Sequence, residues 1–162
     1  MKIISNTTPL IGLASIGKFE LLQQLFETII IPQAVYDEAV VSGREKGGAK
    51  QEISSSEYVE VVSVEDYLAV EVLLDELDQG EAEVIVLSHE LNADWVLMDE
   101  KKGRRKLTQL GINKIGTVGI LLKAKEAGYI KSVSIYLTQL RENGFSISQY
   151  VFDRVLEEAS EK

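Results

Sequence analysis

The chain has 162 residues, of which 45% are hydrophobic and 27% are charged, with a mean hydropathy of +0.02. This composition is typical of one globular domain and excludes a disordered or fibrous chain. Cysteine is absent, which excludes disulfides and cysteine-bound metal centres, and a lone His89 excludes histidine-rich metal sites. With 17 basic and 26 acidic residues the formal net charge is −9, so nucleic acid can bind only through a local basic patch.

The chain shows no membrane segment and no targeting segment. Its apolar runs fall short of the roughly 18 residues that a bilayer crossing needs. Lys2 and Asn6 interrupt the start, and no cleavage site of the signal-peptide type follows. We therefore expect no membrane association and a cytoplasmic protein.

Five clusters of β-branched and apolar residues alternate with stretches of helical periodicity. This alternation predicts an α/β fold in which a mostly parallel sheet of about five strands lies between two layers of helices, a Rossmann-like three-layer α/β/α arrangement. The predicted strands are Lys2–Ser5, Thr28–Ile31, Tyr58–Val62, Trp95–Met98 and, more weakly, Ile112–Ile115.

The helices are predicted from apolar spacing and from Gly and Pro positions. Gly17 divides the first helical stretch in two, and Pro32 opens a helix that ends at about Val41. The polar stretch 42–56 predicts an exposed loop around one short helix. The stretch 64–91 splits at Asp78-Gln79-Gly80 into two helices, of which the second is buried. Further helices are predicted over Lys101–Leu110, Val118–Ala127 after a Thr117 cap, Ser132–Leu140 and Ser146–Ala159.

Polar and acidic residues follow two of the predicted strands. Asn6, Thr7 and Thr8 end the first strand, and Asp99-Glu100 ends the fourth. Ligands of open parallel sheets collect at the carboxyl ends of strands, and acids from nearby helices join them there. Such acids repel one another at neutral pH, so a hard cation such as Mg²⁺ or Mn²⁺ is expected among them.

Helical geometry selects among the neighbouring acids. Glu81 and Glu83 stand about 200° apart around a helix, and Glu81 lies in the first turn, where an acid favours the helix dipole. We therefore prefer Glu83 for the site. On the earlier helix Glu38 shares a side with Val35, whereas Asp37 faces water, so we prefer Glu38.

An ordered set of short motifs resembles the PIN-domain superfamily, specifically an uncharacterised VapC-like branch. Each motif is unspecific alone, but the order and spacing are specific, and the resemblance covers about residues 1–127. It implies one PIN-like domain over 1–162 with a C-terminal helical extension over about 128–162. The motifs are Ile3-Ile4-Ser5-Asn6-Thr7-Thr8-Pro9-Leu10-Ile11, Pro32-x-x-Val35-x-x-Glu38, Gly80-Glu81-Ala82-Glu83-Val84-Ile85, Leu97-Met98-Asp99-Glu100 with Gly103-Arg104, and Gly116-Thr117-Val118-Gly119.

The resemblance implies a Mg²⁺- or Mn²⁺-dependent ribonuclease, in many relatives a toxin silenced by a small antitoxin protein. It carries catalytic roles to Asn6, Glu38, Glu83 and Asp99, with Glu100 as an alternative metal ligand to Asp99. Thr7, Thr8 and Glu81 are supporting residues. The family normally has Asp at the position of Asn6. An amide oxygen still coordinates a hard cation, but it adds no negative charge.

A basic run follows the predicted ligands directly. Such a run predicts contacts to RNA phosphates beside the acids, with Arg104 the first choice. A solvated helix face is the alternative. The run comprises Lys101, Lys102, Arg104, Arg105 and Lys106.

Two functions therefore remain open. The first is a metal-dependent endoribonuclease of PIN type, with RNA as substrate and a small antitoxin as a candidate partner. The second is a catalytically weak or inactive module that binds RNA or protein, which Asn6 favours. The C-terminal helices permit either a homodimer or a monomer.

Overall fold

The computed structural model describes residues 1–41 and 49–162. Its sheet has five strands, all parallel, in the order β3-β2-β1-β4-β5. The predicted α/β fold with a parallel sheet of about five strands is confirmed. The strands are β1 (Ile3–Ser5), β2 (Ile29–Ile31), β3 (Val59–Val61), β4 (Trp95–Leu97) and β5 (Lys114–Ile115).

The helices form two layers that cover the sheet. They are α1 (Thr7–Ser15), α2 (Leu21–Phe26), α3 (Gln33–Tyr36), α4 (Lys50–Ser55), α5 (Tyr67–Leu73), α6 (Gln79–Glu90), α7 (Lys101–Gln109), α8 (Thr117–Glu126), α9 (Val133–Glu142) and α10 (Gln149–Glu158). In one layer α6 packs against α3, α5 and α7, and in the other α8 packs against α1, α2, α9 and α10. Within the described ranges no helix is long and apolar enough to cross a membrane.

Each predicted helix has a counterpart in the structure, with small differences at the ends. The helix after Pro32 ends in a π-helical turn, Asp37–Val41. Thr117 does not cap α8 but is its first residue, because Gly116 occupies the capping position. In the predicted loop 42–56, α4 is the short helix, and residues 42–48 lie outside the described part of the chain.

The hydrophobic core lies on both faces of the sheet. Ile3, Ile4, Ile29 and Ile31 of the central strands are fully buried, and so is nearly every residue of α6 between Gly80 and Ser88. A helix that is buried on all sides must accommodate its polar residues internally. The predicted burial of this helix is thus observed, and its two glutamates lie inside the fold.

The strand order reverses beside β1. The chain moves from β1 outward to β2 and β3 and then returns to β4 on the other side of β1. Crevices at such reversals receive the ligands of open α/β sheets. Asn6 and the segment 98–100 follow β1 and β4, so both enter this crevice.

The C-terminal helices are joined to the rest of the domain by Glu161. Its carboxylate accepts hydrogen bonds from the backbone N–H groups of Val133 (2.7 Å) and Ser134 (3.0 Å) at the start of α9. It also pairs with Lys125 of α8 at 2.9 Å. The chain end therefore closes onto the layer that holds α8.

Candidate functional site

Asn6 lies at the centre of the crevice between β1 and β4. Its backbone N–H donates to Leu97 O at 2.9 Å, which continues the pairing of the two strands. The residue is only 4% exposed. Its side-chain Nδ2 donates to Glu100 Oε2 at 2.9 Å, while Thr8 Oγ1 donates to Glu100 Oε1. Two neighbours in the sequence motif thus hold both oxygens of Glu100.

Glu38 reaches the same crevice from the π-helical turn. Its Oε2 accepts a hydrogen bond from Thr7 Oγ1 at 3.0 Å. A Cβ added to Gly80 would stand 2.5 Å from Glu38 Oε1 and 3.5 Å from Asn6 Oδ1. These two oxygens therefore point into the space that a side chain at position 80 would occupy.

Burial and two neighbouring acids act on the pKa of Glu38. The pKa of Glu38 is raised above its usual value mainly by burial, against which the hydrogen bond from Thr7 acts. The negative charges of Asp78 and Glu100 raise it further. The charge of Glu100 therefore disfavours the ionised form of Glu38, and a positive charge between the two carboxylates would relieve this repulsion.

Glu81 combines a structural role with electrostatic coupling to the site. Asp78 Oδ1 accepts a hydrogen bond from the N–H of Glu81 at 2.8 Å. The Glu81 carboxylate accepts one from the N–H of Asp78, which completes a capping box at the start of α6. Burial, followed by the hydrogen bond and charge of Asp78, raises the pKa of Glu81 to about 7, and Glu100 contributes as well.

Glu83 is held away from solvent by two donors. Its Oε1 accepts from the backbone N–H of Ala34 at 3.1 Å, and its Oε2 accepts from Gln79 Nε2 at 2.7 Å. The side chain therefore fixes the start of α3 to α6. These two bonds engage both oxygens of the carboxylate, as Asn6 and Thr8 engage both oxygens of Glu100.

Asp99 is engaged at the start of α8. It accepts from the backbone N–H of Thr117 at 2.8 Å and from Thr117 Oγ1 at 2.6 Å. Its Oδ1 would stand 2.7 Å from a Cβ on Gly116, so that position admits only glycine without a shift. Burial raises the pKa of Asp99, although the bonds from Thr117 oppose this rise.

The basic run on α7 separates into an inward and an outward part. Arg104 turns inward, where its Nη1 donates to Met98 O at 2.8 Å and its charge favours the ionised form of Asp99. Lys101 is exposed. The outward part lines a cleft of about 310 Å³ together with the linker before α6, and Lys106 pairs there with Glu76 at 3.4 Å. The cleft residues are Asp75, Glu76, Lys102, Arg105, Lys106 and Gln109.

The structure brings together some of the predicted site residues and separates others. Asn6, Glu38 and Glu100 converge with Thr7 and Thr8 in contact with them. Over residues 1–41 and 49–162, Glu38, Glu83 and Asp99 form no group of three acids that could hold a metal. Of the two alternatives left open by sequence, Glu100 rather than Asp99 contacts Asn6.

The converging oxygens suit a hard divalent cation. Mg²⁺ commonly binds through one or two carboxylates and completes its shell with water and substrate phosphates. Asn6 Oδ1 accepts no hydrogen bond from the described residues, and it faces the same space next to Gly80 as Glu38 Oε1. Two carboxylates and one free amide oxygen therefore fit the donor set of such a cation.

The comparisons with known proteins identify the family. A family model named DUF3368 and described as a PIN domain matches residues 2–161. The chain belongs to the PIN-domain family. The match includes α9 and α10, so the C-terminal helices are part of the family's domain. A search of curated proteins finds no match to the chain.

PIN-family membership confirms the resemblance to the PIN-domain superfamily and supports a nuclease-type fold, and the VapC-like branch stays a prediction. Two residues at the crevice were not anticipated as part of the site, Asp78 and Gly80. The signal for both is in the sequence, because Asp78-Gln79-Gly80-Glu81 has the form of a capping box. As a break between helices, this segment alone does not indicate that Asp78 and Gly80 lie at the crevice.

Proposed function

We propose that this PIN domain is a divalent-metal-dependent endoribonuclease, and that Glu38, Glu100 and the Oδ1 atom of Asn6 hold the ion. The observation that carries the proposal is the convergence of these oxygens at the strand-order reversal, where no ion pair within residues 1–41 and 49–162 involves Glu38 or Glu100. When bound, the ion would activate water and stabilise the charge that develops as a phosphodiester is cut.

The remaining residues of the crevice orient the ligands. Thr8 and Asn6 fix the plane of the Glu100 carboxylate, and Thr7 fixes that of Glu38. Because Nδ2 of Asn6 donates to Glu100, its Oδ1 is directed toward Glu38 and remains free to accept a ligand. The two carboxylates are thus preorganised before any substrate arrives.

Asp99 and Glu83 have positioning roles in this proposal. Asp99 ties the end of β4 to α8 through Thr117, and Arg104 neutralises it from the other side. Glu83 ties α3 to α6 and so sets the position of the π-helical turn that carries Glu38. Loss of either side chain would displace the ligands rather than remove one.

The substrate is held by the cations of α7 that face solvent. Lys101, Lys102 and Arg105 are exposed and begin one residue after Glu100. Phosphate contacts from such side chains position a strand without reading its sequence. We therefore propose RNA as the substrate. A small antitoxin of the kind that silences VapC-like relatives remains a candidate partner.

The second candidate function is a PIN domain that binds RNA or protein without cutting RNA. The observation that favours it is the amide at position 6, because Asn6 brings a donor and no charge where the family resemblance expects a carboxylate. A cation held by two carboxylates and an amide binds more weakly than one held by three carboxylates.

Mn²⁺ calorimetry separates the two functions. The nuclease proposal expects wild type to bind Mn²⁺, Asn6→Asp to bind it more tightly, and Glu100→Gln to lose at least tenfold in affinity. Glu142→Gln is the matched control, because it removes an equal charge from an exposed acid on α9, outside the crevice. If neither wild type nor Asn6→Asp binds Mn²⁺ while RNA still binds, the non-catalytic function is the correct one.

Salt-dependent RNA binding tests the α7 cations. Replacing Lys102 and Arg105 with Ala should weaken binding of a single-stranded RNA and reduce the slope of log affinity against log salt by about 1.4, that is, about 0.7 per lost phosphate contact. Lys123→Ala with Lys131→Ala removes the same charge from other exposed positions and should change the slope little. Equal slopes for both double variants would show that the outward cations of α7 form only a solvated helix face.

A further inference from the structure

Helix α5 is apolar on the side that faces solvent as well as on the side that faces the core. Val70 packs inward and is 1% exposed. On the outer side Leu68 and Val72 are one helical turn apart and are 72% and 66% exposed, and Tyr67 beside them is 58% exposed. We call Tyr67, Leu68 and Val72 the α5 stripe. Neighbouring exposed apolar side chains often mark an interaction site, and no side chain of residues 1–41 and 49–162 buries the α5 stripe.

The α5 stripe is held in a fixed position. Asp66 Oδ1 accepts from the N–H of Ala69 at 3.0 Å and caps the helix. Glu90 at the end of α6 accepts from the backbone N–H groups of Glu65 (3.1 Å) and Asp66 (2.9 Å). Because the helix start is fastened to α6, a partner would meet a preformed surface and would lose little to ordering it.

The border of the α5 stripe is acidic. More than half of the chain's 26 acidic residues lie between Gln51 and Glu100, and that stretch has no Lys or Arg. Within residues 1–41 and 49–162, the cations that share a cleft with this border are Lys102, Arg105 and Lys106 of α7, which lie beside Asp75 and Glu76, and Lys106 pairs with Glu76 at 3.4 Å. The exposed acids on α5 and beside its two ends are Glu65, Asp66, Glu71, Asp75 and Glu76.

This charge excludes three of the four usual occupants of such a surface. Nucleic acid and anionic membranes carry phosphates, which the acids repel. A second copy related by a two-fold axis would bring each acid against the same acids of its partner. The complement is an apolar surface with a basic border, and an amphipathic helix provides that combination in a single element.

We propose that the α5 stripe is the docking surface for an amphipathic helix of a partner protein, with an apolar face flanked by Lys and Arg. Leu68 and Val72 contact the apolar face, and Glu71 and Asp75 contact the flanking cations. The inference does not depend on the nuclease proposal, since it uses no residue of the Asn6 crevice.

Two synthetic helical peptides test the proposal. They share one Leu stripe and differ only in flanking residues, which are Lys and Arg in the first and Glu in the second. Isothermal titration should show binding of the basic peptide to wild type at least tenfold tighter than that of the acidic one. Leu68→Ser with Val72→Ser should weaken binding of the basic peptide at least tenfold without a change in charge. Ile135→Ser with Tyr150→Ser, an apolar control on other helices, should leave it unchanged.

A charge-reversal variant gives a second, independent measurement. Glu71→Lys with Asp75→Lys should invert the preference so that the acidic peptide binds more tightly. Equal binding of the basic peptide to wild type and to the Leu68/Val72 variant would overturn the proposal, because attraction would then be due to net charge alone. A wild-type dimer in sedimentation that the Leu68/Val72 variant dissociates would also overturn it, since the occupant would be a second copy.

Discussion

Acidic side chains have opposite pKa shifts in the crevice around Asn6 and in the C-terminal clamp, by which we mean Glu161 with Val133, Ser134 and Lys125. Burial acts to raise the pKa of Glu161, but the N–H groups of Val133 and Ser134 and the ammonium of Lys125 together lower it to about 2. In the crevice, burial and neighbouring acids raise the pKa of Glu38, and that of Glu81 to about 7. The clamp surrounds its carboxylate with two backbone N–H groups and an ammonium, whereas the crevice places uncharged hydroxyl, amide and backbone donors beside further acids.

The ionised form of Glu161 stabilises the fold, whereas the ionised forms of Glu38 and Glu81 destabilise it. Burial and neighbouring acids raise the pKa values of Glu38 and Glu81, and groups perturbed in this way cluster at functional sites. Four variants test whether the contrast is real, starting with the largest expected effect.

Glu161→Gln should break the clamp. The variant keeps the shape of the side chain but loses its charge, and we expect the free energy of unfolding at pH 7 to fall by about 2 kcal/mol. Because the pKa of Glu161 in the folded state lies below its unfolded value, this stability is present above pH 4.5 and is lost as pH falls toward 2. Urea unfolding at pH 7 and at pH 3 measures the difference. An equal loss at both values would contradict the role assigned to the charge.

Glu81→Gln should act in the opposite direction. Gln preserves the capping box, and it removes a carboxylate whose pKa in the folded state is raised to about 7. The cost of ionising Glu81, which comes from its burial and then from the neighbouring acids, is fully present above pH 7 and vanishes below about 4.5. The variant should therefore be more stable than wild type by about 2 kcal/mol at pH 8 and equal to it at pH 4. Thermal unfolding at both pH values checks this. Glu71→Gln, an exposed acid on α5, serves as the control and should change stability little.

Gly80→Ala should separate the geometry of the site from stability. The added Cβ would stand 2.5 Å from Glu38 Oε1, the end of a flexible side chain, so Glu38 can move away. We expect the free energy of unfolding to change by less than about 1 kcal/mol, since Ala favours a helix. Mn²⁺ affinity and any RNA cleavage should fall about tenfold, or about 1.4 kcal/mol. Unchanged Mn²⁺ binding would show that Glu38 Oε1 does not contact the ion.

Glu76→Gln should give the smallest effect. Glu76 pairs with Lys106 in the cleft beside α7 and competes there with any incoming phosphate. Removing its charge should strengthen single-stranded RNA binding a few-fold, because an exposed ion pair contributes under about 1 kcal/mol. Fluorescence anisotropy at low salt measures the change. Glu60→Gln on the sheet edge is the matched control, and an equal gain there would reduce the effect to net charge.

Much of the fold could be predicted because its signals are local. The alternation of β-branched clusters with helical periodicity identified five parallel strands, and each lies within one residue or two of its predicted bounds. Gly128 ended α8 as expected and adopts a positive φ of 85°, a conformation that glycine tolerates. The π-helical turn at Asp37–Val41 was not predicted, because no residue pattern in that stretch distinguishes it from an α-helix.

The candidate site could be predicted only in part. The sequence placed Asn6, Glu38 and the pair Asp99-Glu100 at one edge of the sheet, and the structure agrees. Periodicity favoured Glu83 over Glu81, but it could not show that the backbone of Ala34 and the side chain of Gln79 would occupy both oxygens of Glu83. The catalytic and metal-binding roles of these residues remain predictions.

The strands and helices follow from the sequence alone, because they depend on neighbours a few residues apart. The family and the polar edge of the sheet also follow from it, because they depend on the order of motifs along the chain. Which donors and which other acids each carboxylate meets depends on tertiary packing. The partners of Asp99 and Glu161 come from segments 18 and 28 residues away. Since a carboxylate takes its pKa and its role from such distant partners, its chemistry is settled when the layers pack together.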